Sequence, residues 1–314
     1  MSILICGSLA YDNIMVYPDR FRNHILPEQL HVLSVSFLVP EMRREFGGCA
    51  GNIAYSLKLL GGEPLIMATA GSDFAPYAQR FDELGIRRDQ IRELPDQFTG
   101  QCFVTTDLDD CQITAFHPGA MSFSHLNTVD QIGEPVSLAI VTPDGRDGMI
   151  EHAAQLAAAG IPFIFDPGQG MPMFNGEELL TFIEQADYLA LNDYESAMLQ
   201  QKTGLTLEQL AGKVKALVVT LGGEGAKIYA DGVCHDIPAV PAAAVVDPTG
   251  CGDAFRAGLL YGITQGWDWP TTGRLASLLG SLKIAQRGCQ NHRFTRASLA
   301  EQFNAAFGTT LPEA

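Results

Sequence analysis

Basic residues are scarce in this sequence. Its 314 residues include 20 lysines and arginines against 36 aspartates and glutamates, which gives a formal net charge of −16. Proteins that bind nucleic acids or anionic membrane surfaces depend on clustered Lys and Arg, so we expect neither kind of partner. The sequence also lacks a run of about 18 apolar residues, the length that a membrane-spanning helix needs.

Cysteines at redox or metal-binding spacing are missing as well. The seven cysteines are an odd number, and none stands in a Cys-x-x-Cys motif. Neither a disulfide framework nor a thiolate zinc site is therefore predicted. Residues 1–7 have no basic lead followed by a long apolar stretch, which a signal peptide would show. Because free thiols also fit a reducing compartment, we expect a cytoplasmic protein.

Short apolar runs alternate with helical patterns along most of the chain. The composition, 46% apolar and 18% charged, is that of a globular protein. Helices are predicted near residues 52–60 and 148–159. Strands buried on both faces are predicted at 3–6, 65–68, 138–141, 163–165, 188–191 and 217–219. This alternation predicts an α/β fold, a doubly wound and mainly parallel sheet flanked by helices.

Two stretches break this rhythm. Residues 13–45 carry valines and a phenylalanine among turn residues, without a helical period. Residues 99–117 form two extended runs around a polar turn, which predicts a β-hairpin. We expect both stretches to form a small β-sheet lid inserted into the body of the fold. The body would then comprise residues 1–12, 46–98 and 118–314.

The strongest chemical signal is the string DPTGCGDAF at residues 247–255. A glycine-rich turn that leads into a helix directs backbone N–H groups and the positive end of the helix dipole at one point. Gly250, Cys251 and Gly252 would therefore form an anion hole suited to a transferring phosphoryl group. Asp253, at the start of the helix, would accept a proton from an attacking hydroxyl. The alternative is a glycine turn with an aspartate helix cap.

Two further segments predict a ligand site. The string GGCAGNIA occupies residues 47–54, where Gly48 lets the backbone approach a ligand closely. Asn52 can donate to one hydroxyl and accept from another, although it can also serve as a helix cap. Asp12 follows the first strand, at the edge where open α/β sheets bind ligands. The alternative for Asp12 is an ordinary loop carboxylate.

With these segments the sequence resembles the ribokinase-like (PfkB) family of carbohydrate and nucleoside kinases, from residue 7 to about residue 290. Residues 247–255 are similar to the family's C-terminal signature, and residues 47–54 are similar to its N-terminal signature. The resemblance implies that Asp253 is the catalytic base and that residues 250–252 form the anion hole. It also implies that Asp12, Gly48 and Asn52 hold the sugar hydroxyls.

The resemblance extends to an ATP site. The string TLGGEG at residues 220–225 is similar to the family's nucleotide loop and implies ATP contacts from Thr220, Gly222 and Gly225. The string NDYE at residues 192–195 is similar to the family's Asn-x-x-Glu motif, which adds Asn192 to the ATP site. Neither a Walker motif nor a Gly-x-Gly-x-x-Gly motif occurs.

Two cations are implied in the same way. Glu195 would contact, through water molecules, the Mg²⁺ ion that accompanies ATP. Such an indirect contact suits a hard dication that keeps much of its hydration. The spacing of Asn192 and Glu195 is also that of a capping box, the alternative for this motif. A monovalent cation such as K⁺ would be held by Asp247 and nearby carbonyl groups.

In detail the sequence is most similar to the bacterial adenosine and nucleoside kinases. This implies ATP-dependent phosphorylation of the 5′-hydroxyl of a purine nucleoside, with adenosine first and inosine or guanosine also accepted. Phe103 and Phe116 would form the apolar wall for the base, unless they are plain core residues. His117 and Asp166 complete the predicted substrate contacts.

Other functions stay open from the sequence alone. A sugar kinase acting on ribose or fructose is the main alternative. A catalytically silent ligand-binding protein is another, although the intact string at 247–255 argues against it. We also expect the exposed lid to support a homodimer.

Overall fold

A computed structural model describes residues 2–25, 31–32 and 34–313. In this part of the chain two sheets are present, one of nine strands and one of four. The nine-stranded sheet has the order β13-β12-β11-β10-β9-β8-β1-β4-β5. Its strands are β1 Ser2–Cys6, β4 Pro64–Gly71, β5 Ile91–Leu94, β8 Val136–Val141, β9 Phe163–Phe165, β10 Tyr188–Asn192, β11 Ala216–Thr220, β12 Ala226–Ala230 and β13 Val233–Ile237.

All neighbours from β5 to β11 are parallel, and only β12 and β13 are antiparallel. The helices are α1 Cys49–Leu59, α2 Ala75–Leu84, α3 Arg146–Ala159, α4 Gly176–Gln185, α5 Asp193–Thr203, α6 Leu207–Ala211, α7 Cys251–Thr264, α8 Trp269–Ile284 and α9 Arg296–Phe307. The predicted α/β class and mainly parallel sheet are confirmed. No helix of the described residues is long and apolar enough to span a membrane.

The large sheet is buried on both faces because its central strands are apolar throughout. Ile3 and Ile5 of β1 pack on the side of α1, α2, α7, α8 and α9, whereas Leu4 and Cys6 pack on the side of α3 to α6. This alternation follows from the two-residue period of a strand. The two core layers leave the strand ends as the place where polar groups can converge.

The four-stranded sheet has the order β3-β2-β6-β7, from β2 Ala10–Val16, β3 Glu41–Gly47, β6 Gly100–Thr106 and β7 Gln112–His117. It matches the small separate sheet that the sequence predicts. The hairpin β6–β7 lies at residues 99–117 as expected. However, β2 begins at Ala10 and β3 ends at Gly47, so the small sheet starts and ends outside residues 13–45. The valines and phenylalanine of residues 34–39 belong to no strand. The exact division into body and lid stays a prediction.

A pair of leucine substitutions tests this account of the core. Leu4 is fully buried in β1, whereas Leu38 is 85% exposed. Leu4→Ala should lower the free energy of unfolding by about 3–5 kcal/mol, since it leaves a cavity in a packed layer. Leu38→Ala should change it by less than about 0.5 kcal/mol. Urea titration followed by circular dichroism measures both, and equal effects would contradict the assigned burial.

Candidate active site

The glycine-rich loop and the start of α7 form a positively polarised pocket. Gly250 precedes the helix with φ 78°, and a Cβ there would lie 2.9 Å from Cys289 Sγ, so glycine is required. The N–H of Cys251 donates to Pro248 O at 3.2 Å. Helix geometry leaves the next N–H groups, of Gly252 and Asp253, without an intrahelical acceptor. Open space lies beside Gly252, so these two groups are placed to receive an anion.

Asp253 is held by a side chain from the other glycine-rich segment. Asn52, buried in the first turn of α1, donates from Nδ2 to Asp253 Oδ2 at 2.8 Å. Gln290 donates from Nε2 to Asn52 Oδ1 at 3.1 Å and to the Tyr77 hydroxyl at 2.6 Å, while that hydroxyl donates to Gly47 O at 2.8 Å. This chain of hydrogen bonds orients the amide of Asn52 with its nitrogen towards the carboxylate.

The carboxyl group of Asp253 is a weaker acid than that of an exposed aspartate. Burial raises its pKa to about 6, and repulsion from Asp166 adds to the shift, while the Asn52 hydrogen bond and Arg256 oppose it. A carboxylate with a pKa just below the working pH is ionised yet basic enough to accept a proton. This is the state that a general base requires.

One arginine lies among the three carboxylates of Asp166, Glu195 and Asp253. Arg256, one turn further along α7, donates from Nε and Nη2 to the two oxygens of Asp166 at 3.1 and 3.2 Å, and both side chains are buried. Burial and repulsion from Asp166 raise the pKa of Glu195, and Arg256 opposes that shift. The positive charge of Arg256 therefore compensates Asp166, Glu195 and Asp253 together.

Asn192, Glu195 and Thr220 lie together at the carboxyl ends of two parallel strands. Asn192 ends β10 and pairs in register with Thr220, which ends β11. Asn192 Oδ1 accepts from the Glu195 N–H at 2.7 Å, and Glu195 Oε2 accepts from the Asn192 N–H at 2.8 Å. The capping-box alternative is thus present, and it positions both residues at the sheet edge next to Asp166.

The loop after β11 depends on two glycines with positive φ. Gly222 has φ 56° and faces open space, while Gly225 has φ 96°. A Cβ on Gly225 would lie 2.1 Å from Ile237 O. The loop therefore passes close to the end of β13 and leaves its Gly222 side accessible.

Asp12 reaches the same region from the small sheet. A Cβ on Gly47 would lie 2.5 Å from Asp12 Oδ2, and one on Gly48, where φ is 83°, would lie 2.5 Å from Ser8 O. The two glycines thus let the start of α1 pack against β2. Burial, followed by repulsion from Asp247 and Glu45, raises the pKa of Asp12 to about 6.

The strand register separates the predicted base-binding residues. Paired residues share a face of a sheet, and successive residues alternate. Asp12 pairs with Cys102, which pairs with Phe116, so Asp12 and Phe116 share one face. Phe103 and His117 adjoin this row in sequence and point to the opposite face. The structure therefore brings Phe116 to the face of Asp12, and it does not bring Phe103 or His117 there.

Asp247 sits at the start of the anion-hole loop. Its Oδ1 accepts from the Thr249 N–H at 3.0 Å, and its Oδ2 accepts from the Gly288 N–H at 2.9 Å. These bonds fold the loop back towards the segment after α8. The main-chain oxygen of Asp247 accepts from the ammonium of Lys283 at 2.7 Å.

Three residues of this site were missed from the sequence: Arg256, Lys283 and Gln290. The available signal was weak. Arg256 and Lys283 are single basic residues in otherwise apolar stretches of α7 and α8, where a buried charge needs a partner. Gln290 stands in an irregular segment, where no sequence motif indicated a role in the site.

Comparison with known proteins agrees with this geometry. The family model described as pfkB family carbohydrate kinase matches residues 9–295. The nucleoside kinase of Methanothermobacter thermautotrophicus is 32% identical over 317 residues, covering 99% of this chain and 98% of that protein.

Solved structures give the same result. The Burkholderia thailandensis nucleoside kinase in complex with inosine is 54% identical, with a TM-score of 0.89 over 98% of this chain and 99% of that chain. Its complex with ADP-inosine gives 55% identity and a TM-score of 0.88 over 99% and 98%. The family match covers nearly the whole chain, including every predicted site residue, and the protein is therefore a member of the pfkB carbohydrate kinase family.

Proposed function

We propose that this protein is an ATP-dependent nucleoside kinase that phosphorylates the 5′-hydroxyl of purine nucleosides, with adenosine and inosine as leading substrates and guanosine as a further one. The observation that carries this proposal is the buried contact between Asn52 and Asp253 at the start of α7. It joins a proton acceptor, an anion-binding helix end and a polyol-binding segment at one point. The names of the similar proteins support the nucleoside as substrate.

Proton removal and charge stabilisation are assigned to α7. In its ionised form Asp253 accepts the proton of the attacking hydroxyl, because its raised pKa makes it a stronger base than an exposed aspartate. The loop at residues 250–252 would receive the transferring phosphoryl group, chiefly through the N–H groups of Gly252 and Asp253, because the N–H of Cys251 already donates to Pro248 O. Such preorganised donors stabilise the charge that develops during transfer.

The nucleotide is assigned to the ends of β10 and β11. Asn192, Thr220, Gly222 and Gly225 would contact ATP there, because the loop faces open space on its Gly222 side. Mg²⁺ would neutralise the phosphates and bind mainly through ATP oxygens and water. Among the described residues no group of three acidic, histidine or cysteine side chains is placed to hold a metal ion. An outer position for Glu195 fits that donor set.

The nucleoside is assigned to the opposite side of Asp253. Asp12, Gly48 and Asn52 would hold the ribose, and Phe116 would contact the base. Asp166 remains a proposed substrate contact in spite of its ion pair with Arg256. Closing of the small sheet over the nucleoside would exclude water, which otherwise competes as a phosphoryl acceptor. The small sheet would in this way act as a lid.

We also propose that a second copy of the chain covers the other face of the small sheet. Met42, Phe103 and Ile113 share that face and are 66%, 40% and 44% exposed. Adjacent exposed apolar side chains on a sheet are typical of protein–protein contacts. This assignment gives Phe103 a role away from the nucleoside.

A sugar kinase acting on ribose or fructose is the second candidate. The family description names carbohydrates, and the ribose-binding residues would equally hold a free sugar. Phe116 is half exposed and shares a sheet face with Asp12. This favours the nucleoside, because a planar base can stack on the ring, whereas a free sugar brings mainly hydroxyl groups that need polar partners.

Asp253→Asn should lower kcat by at least about 10²-fold, the usual contribution of a positioned general base. The fold should be kept, because a buried carboxylate with a raised pKa is a cost to the folded state above pH 6 that Asn removes. Coupled ADP release measures kcat, and differential scanning calorimetry at neutral pH should show an unchanged or higher Tm. Turnover near that of the wild type would remove Asp253 from the mechanism.

The pH profile should report the same carboxyl. Protonated Asp253 cannot accept a proton, so kcat/KM should fall as the pH drops below about 6. Asn52→Leu removes the donor that stabilises the carboxylate, so its fall should begin at a higher pH. The pKa of Asp12 is also raised to about 6. Both proteins therefore carry Asp12→Asn, so that Asp12 does not contribute to the fall in kcat/KM. If kcat/KM falls at the same pH in the proteins with and without Asn52→Leu, then Asn52 does not set the pKa of the titrating group.

Adenosine or inosine should exceed ribose in kcat/KM by at least about 10²-fold, or roughly 2.7 kcal/mol of transition-state binding. Phe116→Ala should narrow this gap by impairing the nucleoside and not the sugar. Phe103→Ala is the matched comparison, since it removes the same side chain from the opposite face. A better rate with ribose or fructose would overturn the nucleoside assignment, and equal losses in both variants would place both faces at the substrate.

A further inference from the structure

A fully buried lysine lies directly beneath the anion-hole loop. Lys283, in the last turn of α8, has no exposed side-chain surface. Its ammonium donates to Asp247 O at 2.7 Å and to Gln286 O at 3.3 Å, and it lies 3.9 Å from Asp247 Oδ1. A buried charge is costly unless it is paired and hydrogen-bonded. Here two carbonyl oxygens and one carboxylate surround it.

These oxygens are the ones that the family resemblance gives to a monovalent cation, namely Asp247 and nearby carbonyls. An added K⁺ does not fit among them, because the ammonium already lies within hydrogen-bond distance of both carbonyls. A lysine ammonium is a compact point charge on a flexible stem. It can therefore occupy a position that suits a small monovalent cation.

The position links Lys283 to the phosphoryl-binding loop. The N–H groups of Val246 and Asp247 both donate to Ile284 O, at 2.9 and 3.1 Å, which fixes the start of the loop to the end of α8. Lys283 binds the next carbonyl, that of Asp247, and Asp247 in turn receives the N–H of Thr249. The charge also acts beyond these bonds, since it lowers the pKa of Cys251 against the larger effect of burial.

We propose that the ammonium of Lys283 replaces a monovalent cation in this protein, so that the loop at residues 247–252 is held by a covalently attached charge and turnover needs no K⁺. Lys283 is then a positioning residue: it acts through the loop and does not touch the substrate. The statement about turnover rests on the proposed kinase function, whereas the statement about cation binding and loop stability does not.

Wild-type protein is first compared in buffers containing either K⁺ or tetramethylammonium at equal ionic strength. We expect the same Tm and, with ATP and adenosine or inosine, a kcat that differs by less than about twofold. A saturable activation by K⁺ of tenfold or more, or a K⁺-dependent rise in Tm, would overturn the proposal.

Two substitutions then separate charge from shape. Lys283→Met fills the same space without the charge, and it should lower kcat at least about tenfold in every buffer, less than the roughly 10²–10³-fold loss of a donor that contacts the reacting group directly. Lys283→Ala leaves a space lined by the same oxygens. Its kcat and Tm should both be low in tetramethylammonium and should recover with K⁺ or NH₄⁺.

Lys227→Met, in an exposed pair with Asp236, is the matched control and should behave as the wild type. Wild-type kcat in Lys283→Met would overturn the proposal, as would a folded Lys283→Ala that no cation restores.

If Lys283→Ala fails to fold without K⁺, its refolding yield with K⁺ against tetramethylammonium gives the same answer. If no nucleoside is phosphorylated in any buffer, the proposed function fails while the Tm comparison still decides the cation question.

Discussion

The hydrogen bond between Asn52 and Asp253 is the contact on which the site depends. It joins the first turns of α1 and α7, two helices that are 201 residues apart at these positions in the chain. Both helices pack on the same face of the large sheet, so their N-terminal ends meet at the carboxyl edge of the parallel strands. The geometry of the proposed proton acceptor and anion hole is thus a consequence of how two helices pack.

Buried charge is the second constraint, and two basic residues meet it. Arg256 compensates the carboxylates of Asp166, Glu195 and Asp253, and Lys283 compensates Asp247 beneath the loop. Removing either partner of such a pair leaves an unpaired charge in a low-dielectric interior, which is strongly destabilising. The carboxylates of the site can therefore stay buried in their charged form because these two cations lie behind them.

Those parts of the fold and site that lie in continuous segments were predictable from the sequence. The apolar runs of β1, β8 and β11 predict a parallel sheet because they are short, continuous and alternate with helical segments, as in strands buried on both faces. Gly250 and Asp253 stand in one string, so their chemistry could be inferred without the fold. Arg256 and Lys283 could not be inferred in this way, because their partners come from other elements.

The small sheet shows the same limit. Its hairpin was predictable from two extended runs and a polar turn, whereas the positions of β2 and β3 depend on pairing across the chain. Phe103 and Phe116 are the same type of residue, and they are 40% and 51% exposed. Only the strand register places them on opposite faces of the sheet. A shift of one residue would exchange them.

The central claim is phosphoryl transfer from ATP to the 5′-hydroxyl of a nucleoside. The most direct test is ³¹P NMR of a reaction containing the protein, Mg²⁺, ATP and inosine. The account predicts one nucleoside 5′-monophosphate for each ADP, with the phosphorus coupled to the two 5′ protons, and no product with 5′-deoxyadenosine as the nucleoside. Release of inorganic phosphate in place of a phosphorylated nucleoside, or phosphorylation of free sugars alone, would contradict it.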